Sequence, residues 1–250
     1  MNAKWEPRLK IAGYVGLLYV GILAGVTVLM RMGVIRDDSF SSALGSDDTS
    51  IPFITFFLFF GIVFSVLIYL FNSLLVRKFI RIKLSRALIY MAVAGFVAPL
   101  GEVVINALTE YVFGVPVFLY HIAPIHHGYT SLVMMVLWPT YGFHLYCFHE
   151  VLAERGDSAF SDGIIAMIMG IDGIIMETIV NILSVLLFSA NIFYYFPNDL
   201  WHVSSVAILP VYILIGFFGL KLIHYIERHH MRAYLVVTIF ALAAILFQLG

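Results

Sequence analysis

Six polar residues set within long apolar stretches carry the chemistry open to this sequence. They come as two sets: Glu102, Asn106 and His127, then Glu177, Asn181 and His202. In each set the glutamate and the asparagine are four positions apart, which puts both on one face of a helix. A carboxyl withdrawn from water tends to keep its proton and can serve as a general acid, with an imidazole as its base or relay. Such a pair can protonate an alkene, shift a double bond, close a ring or hydrolyse a lipid ester. Glu102, Glu177, His127 and His202 are also the ligand types that a transition-metal ion such as zinc or iron takes between helices. Asn106 and Asn181 would orient the acids or bind a substrate oxygen.

A constant shift relates the two sets. Moved by about 75 residues, Glu102, Asn106, His127 and His149 fall on Glu177, Asn181, His202 and His224. Leu108, Phe113, Phe118, Tyr120, Phe143 and Leu145 likewise fall on Leu183, Phe188, Phe193, Tyr195, Phe218 and Leu220. Roughly eleven of about fifty positions agree, against about four or five expected by chance in so apolar a chain, and self-similarity at a fixed offset marks a duplicated unit. The four polar agreements weigh most, because polar groups in hydrocarbon are costly and tend to be functional. Gly95 and Gly170 correspond at the same offset, so a close helix approach or a bend recurs at one depth.

The elements that must position these groups are membrane helices. The chain is 62% hydrophobic and 12% charged, whereas soluble domains carry about a quarter charged residues. A formal net charge of -1 gives no electrostatic footprint for nucleic acid. The lone Cys147 can form no internal disulfide. Segments of about twenty apolar residues span a bilayer, and seven are predicted, at 11–31, 51–75, 87–113, 128–150, 163–189, 202–226 and 231–249. The first is read as a retained helix, not as a cleaved signal. The expectation is an all-α integral membrane protein with a single transmembrane domain over 1–250. The third to sixth helices would form a four-helix bundle of two two-helix units, repeat A about 87–151 and repeat B about 162–226.

Loop charges set the orientation. Arg77, Lys78, Arg81, Lys83 and Arg86 place 77–86 in the cytoplasm, and the four aspartates of 37–50 place that loop outside. The N-terminus is then cytoplasmic and the C-terminus external. An even number of spans per unit makes the repeats parallel, about an axis along the membrane normal. Glu102 and Glu177 fall just outside the bilayer centre, and folding the helix pairs back aims both polar sets at one outward-facing pocket. Asp172 is an unmatched extra acid, since Val97 stands at the corresponding place.

Five histidines, His144, His149, His224, His229 and His230, gather toward the inner face. Their spacing fits a histidine-box iron site poorly. One haem between His127 and His202, or between His149 and His224, is the other cofactor arrangement the pairing allows. The leading expectation is a polytopic membrane enzyme of isomerase, cyclase, hydrolase or metal-dependent oxidase type, acting on a lipid-soluble small molecule drawn from membrane lipids. The alternative is a transporter or channel using the same pocket for a small solute, a cation or a proton. A non-catalytic membrane subunit or a bis-histidine cytochrome comes third.

Overall fold

A computed structural model of the chain describes residues 53–154, 162–188 and 191–249. The first predicted helix and the acidic loop after it lie outside the described residues. Apolar sequence with few breakers folds into helices here, because a backbone in lipid must bond to itself. In order these are α1 (Phe53–Phe56), a π-helical segment (Phe57–Val63), α2 (Phe64–Leu75), α3 (Leu84–Phe113), α4 (Met134–Glu154), α5 (Asp162–Phe188), α6 (Leu209–Arg228) and α7 (Ala233–Leu249). Among the described residues, four stretches are long and apolar enough to cross a bilayer: Phe57–Leu75, Leu84–Phe113, Asp162–Phe188 and Val206–Arg228. The chain is thus a mostly helical, multi-pass integral membrane protein. Its outward faces are apolar, with Leu74, Val104, Phe113, Leu214 and Leu246 among the exposed side chains.

α3 is the central element, packed along α4, α6 and α7, while α5 packs along α6 and α2 along α4. Burial of apolar surface cannot drive helices together in lipid, so close fit and hydrogen bonds must do so. Gly142 shows the closeness of fit: a Cβ there would lie 2.6 Å from the Tyr90 carbonyl oxygen and 2.8 Å from Met91 Cα. α4 carries much of the polar load, with Thr140, Tyr141, His144, Tyr146, His149 and Glu150 along its length.

At the basic end, Arg86 of α3 joins Glu150 of α4 and Glu227 of α6, each at 2.5 Å, and Lys83 adds a contact of 3.2 Å to Glu150. At the other end the α3–α4 and α5–α6 connections form short strands. β1 (Phe118–Tyr120) pairs antiparallel with β4 (Phe193–Tyr195), with Leu119 opposite Tyr194, and β2 (Pro124–Ile125) pairs with β3 (Thr130–Ser131). The core above the bundle is aromatic: Phe60, Phe118, Tyr120, Phe193 and Tyr195 are buried together.

Two helices begin later than the sequence predicts. Residues 128 and 202 were the expected starts, but α4 starts at Met134 and α6 at Leu209. His126, His127, Trp201 and His202 all have positive φ, between 50° and 60°, a region that L-residues rarely occupy and that ends helical continuity. Each connection therefore turns sharply at its second histidine or at its Trp-His pair before the next helix begins.

Candidate functional site

Glu102 of α3 and Glu177 of α5 are the centres about which the strand-bearing connections close. Both Glu102 and Asn106 face inward and are buried, as the four-residue spacing requires. Glu102 accepts three hydrogen bonds: from the Tyr120 hydroxyl, from Thr130 Oγ1 at 2.7 Å and from Trp138 Nε1 at 2.9 Å. Glu177 accepts from the Tyr195 hydroxyl at 2.7 Å, from Ser204 Oγ at 3.0 Å and from the Tyr212 hydroxyl. The donor sets correspond in kind, a strand tyrosine, a small hydroxyl residue and an aromatic from the following helix. A carboxylate has about four acceptor sites, and here three are filled by neutral donors.

Burial, with the neighbouring glutamate next in effect, holds the Tyr120 and Tyr195 phenols well above their usual range. They remain O–H donors throughout the physiological range. The aromatic partners also bring the two centres together. Trp138 and Tyr212 meet edge to face at 6.3 Å, and the rings of Tyr120 and Tyr195 both pack on Phe118 and Phe193.

Asn106 and Asn181 do different work from the glutamates. Asn106 Oδ1 accepts from the backbone N–H groups of Val117 and Phe118, and its Nδ2 donates to the Tyr129 carbonyl. Asn181 Oδ1 accepts from the Ile192 N–H, and its Nδ2 donates to the carbonyls of Phe193 and Val203. Both amides are spent on holding the connections that deliver Tyr120, Thr130, Tyr195 and Ser204. His127 and His202 sit on the left-handed turns. His202 donates from Nδ1 to the Tyr195 carbonyl at 2.6 Å and stacks on Tyr194, and His127 packs against Tyr129. Among the described residues, no hydrogen bond or ring contact brings either histidine to a glutamate.

These surroundings do not fit a metal ion. The groups around each carboxylate point hydrogens at it, and among the described residues no three His, Cys, Asp or Glu side chains converge as a metal site would require. The inner histidines His149 and His224 do meet, with ring centroids 6.1 Å apart, but His149 Nδ1 is engaged by the Tyr90 hydroxyl and His224 Nδ1 lies 3.5 Å from Asp162.

A cavity runs beside the Glu177 centre. It is almost wholly apolar: Phe64, Ile68, Leu137, Met176, Val180 and Phe193 are among its walls, and Glu177, Tyr120, Trp138, Thr140 and Tyr141 also line it. A second, almost wholly apolar cavity lies between α3, α4, α5 and α6 and shares Trp138, Tyr141 and Gly173 with the first. Sequence reasoning found the two glutamates but not their tyrosine, tryptophan, serine and threonine partners. Tyr120 and Tyr195 were in view as residues matched at the same offset. Their role depends on the connections folding back over the bundle, which helix periodicity does not report.

Comparison with protein-family models, with curated proteins and with solved structures gives no match to this chain.

Proposed function

We propose that this is a membrane enzyme for a lipid-soluble small molecule, with Glu177 and Glu102 as its acid–base groups. The observation that supports the reading is an apolar cavity lined in part by Glu177, a buried carboxyl group held by three hydrogen-bond donors. Binding sites for small molecules are typically concave and apolar with a few placed polar groups, and a carboxyl fixed by three donors is oriented for proton transfer. Isomerase, cyclase and hydrolase chemistry all need such a step. Asn106 and Asn181 are positioning residues that fix the donor-bearing connections. His127 and His202 shape the turns.

The duplicated unit belongs to this reading. Glu102 and Glu177, Tyr120 and Tyr195, and the left-handed pairs His126–His127 and Trp201–His202 are all 75 positions apart (177 less 102). Beyond the turns the correspondence shifts to 74 (204 less 130): Thr130 with Ser204, Trp138 with Tyr212, and Ser131 with Ser205. Each of those last two serines accepts from the backbone N–H two residues on. Gly95 against Pro139 and Gly170 against Ile213 follow the same rule. One residue fewer in the second turn accounts for the change, and it takes His149 and His224 out of true correspondence. Strands β1 and β4 pair antiparallel about Leu119 and Tyr194, which are also 75 positions apart (194 less 119), and this supports a twofold relation between the units. The reading keeps seven spans, a cytoplasmic N-terminus and an external C-terminus, on loop charge.

The test uses wild-type, Glu102→Gln and Glu177→Gln proteins in lipid nanodiscs, each checked for folding, incubated with a membrane lipid extract and analysed by mass spectrometry. A lipid species consumed by wild type and spared by about a hundredfold or more in Glu177→Gln supports the enzyme. Extracts that remain identical in every sample contradict it. A Glu177-dependent solute flux in proteoliposomes would instead make the pocket that of a transporter.

A further inference from the structure

A third buried polar cluster lies below the Glu177 cavity and involves neither glutamate. His144 of α4 stands between Asn72 of α2 and Asp172 of α5. Asn72 Nδ2 donates to His144 Nδ1 at 3.1 Å, and His144 Nε2 lies 3.0 Å from Asp172 Oδ2 and 3.1 Å from Oδ1. Among the described residues, the other titratable group against the imidazole is Tyr141 of the same helix, with ring centroids 5.9 Å apart. Asn72 is fully buried and His144 nearly so.

The hydrogen bonds fix the protons. Asn72 Nδ2 also donates to the Ile68 carbonyl at 2.9 Å, so its amide nitrogen faces both the carbonyl and the imidazole. Nδ1 of His144 is therefore an acceptor, and the ring hydrogen is on Nε2, donated to Asp172. Among the described residues, this arrangement leaves Asn72 Oδ1 buried with no hydrogen-bond partner. An orphaned buried acceptor is costly and calls for a reason.

Protonation supplies one. A proton added to the Nδ1 lone pair makes His144 an imidazolium with N–H donors on both sides. Nδ1–H then faces the Asn72 amide nitrogen, donor against donor, until the amide turns over. Turned over, Oδ1 accepts from Nδ1–H, and the bond from Nδ2 to Ile68 is given up. Nε2–H meanwhile becomes one side of an ion pair with the Asp172 carboxylate. The acceptor that is orphaned around the neutral ring is satisfied by a charged donor around the imidazolium, and the amide nitrogen takes the unpartnered place in exchange.

We propose that Asn72, His144 and Asp172 form a proton-binding site inside the bundle, in which uptake of one proton at His144 Nδ1 turns over the Asn72 amide and resets the contact between α2 and α4. α2 follows directly on the π-helical segment Phe57–Val63, a form that is often found at functional sites. Thr140 Oγ1 of α4 donates to the Phe60 carbonyl within that segment at 3.3 Å. The proton site and the π segment thus share the same pair of helices. The proposal stands independently of the enzyme reading.

The experiment is nuclear magnetic resonance on the wild-type protein in nanodiscs, labelled with nitrogen-15 histidine and asparagine, from about pH 9 to about pH 5. His144→Gln identifies the His144 signals by their loss. Phe71–Asn72 is the one Phe-Asn pair in the chain, so carbonyl-labelled phenylalanine picks out Asn72 without a substitution. The expected result is an Nε2–H tautomer at alkaline pH, converting to imidazolium, with the Asn72 side-chain amide shifting at the same midpoint. In Asp172→Asn the His144 Nε2–H signal should shift, because its carboxylate acceptor is lost. A His144 that keeps one protonation state across the range overturns the proposal. So does an Asn72 amide that stays still while His144 titrates. Both readings come from wild-type protein, so a poorly folding Asp172→Asn leaves the test intact.

Discussion

A carboxyl inside a membrane protein depends on its neighbours for every hydrogen bond, and Glu102 and Glu177 draw on the same three kinds of donor. Removing one donor tests the arrangement. Tyr120→Phe should cost about 1–3 kcal/mol, read as a lower thermal midpoint in detergent, while Tyr129→Phe, whose exposed phenol bonds Glu110, should cost less than about 0.5 kcal/mol. Asn181→Leu removes three bonds to the connection and should cost roughly 2–4 kcal/mol by the same measurement. His121 adds a pH dependence. Burial lowers its pKa from the ordinary 6.5, so the unfolded chain takes up a proton before the folded one does. Stability is then full above about pH 6.5 and falls as the pH drops through the folded value. The gap between thermal midpoints at about pH 8 and about pH 5 should narrow in His121→Phe; an unchanged gap would contradict this. At this scale the glutamates and asparagines were legible as costly polar groups in apolar sequence. Asn72 and its bond to His144 were not, because one asparagine in an apolar helix names no partner.

Helices explain why the centres are where they are. The spacing of Glu102 and Asn106 fixed their common face, and the apolar runs gave α3, α5 and α7 to within a few residues. The late starts of α4 and α6 were hidden, because left-handed backbone at His127 and His202 leaves no mark on hydrophobicity. Close packing of α3 on α4 depends on Gly142. Gly142→Ala should destabilise by about 1–3 kcal/mol through overpacking against the Tyr90 carbonyl, which a thermal midpoint unchanged from wild type would refute. The pairing of β1 with β4 is open to chemistry as well. In a Cys147→Ser background, Leu119→Cys with Tyr194→Cys should form a disulfide rapidly on mild oxidation, because directly opposed strand positions lie within disulfide reach. Leu119→Cys with Phe196→Cys should lag well behind.

At the level of the whole molecule, two buried acids with similar donor sets share one bundle with the cluster of Asn72, His144 and Asp172. The membrane character and the two polar sets could be read from composition and offset. The meeting of the two acid centres was expected from folding the helix pairs back; the Trp138–Tyr212 contact and the aromatic layer that join them were not. The central claim is that Glu102 and Glu177 exchange protons and are not fixed anchors for their loops. Infrared spectroscopy of the carboxyl stretch, titrated from about pH 9 to about pH 5, tests it most directly in wild type, Glu102→Gln and Glu177→Gln. The account predicts a protonated-carboxyl band that changes with pH and loses a component in each variant. A spectrum in which neither glutamate changes state across the range would contradict it, and would leave both residues as structural anchors.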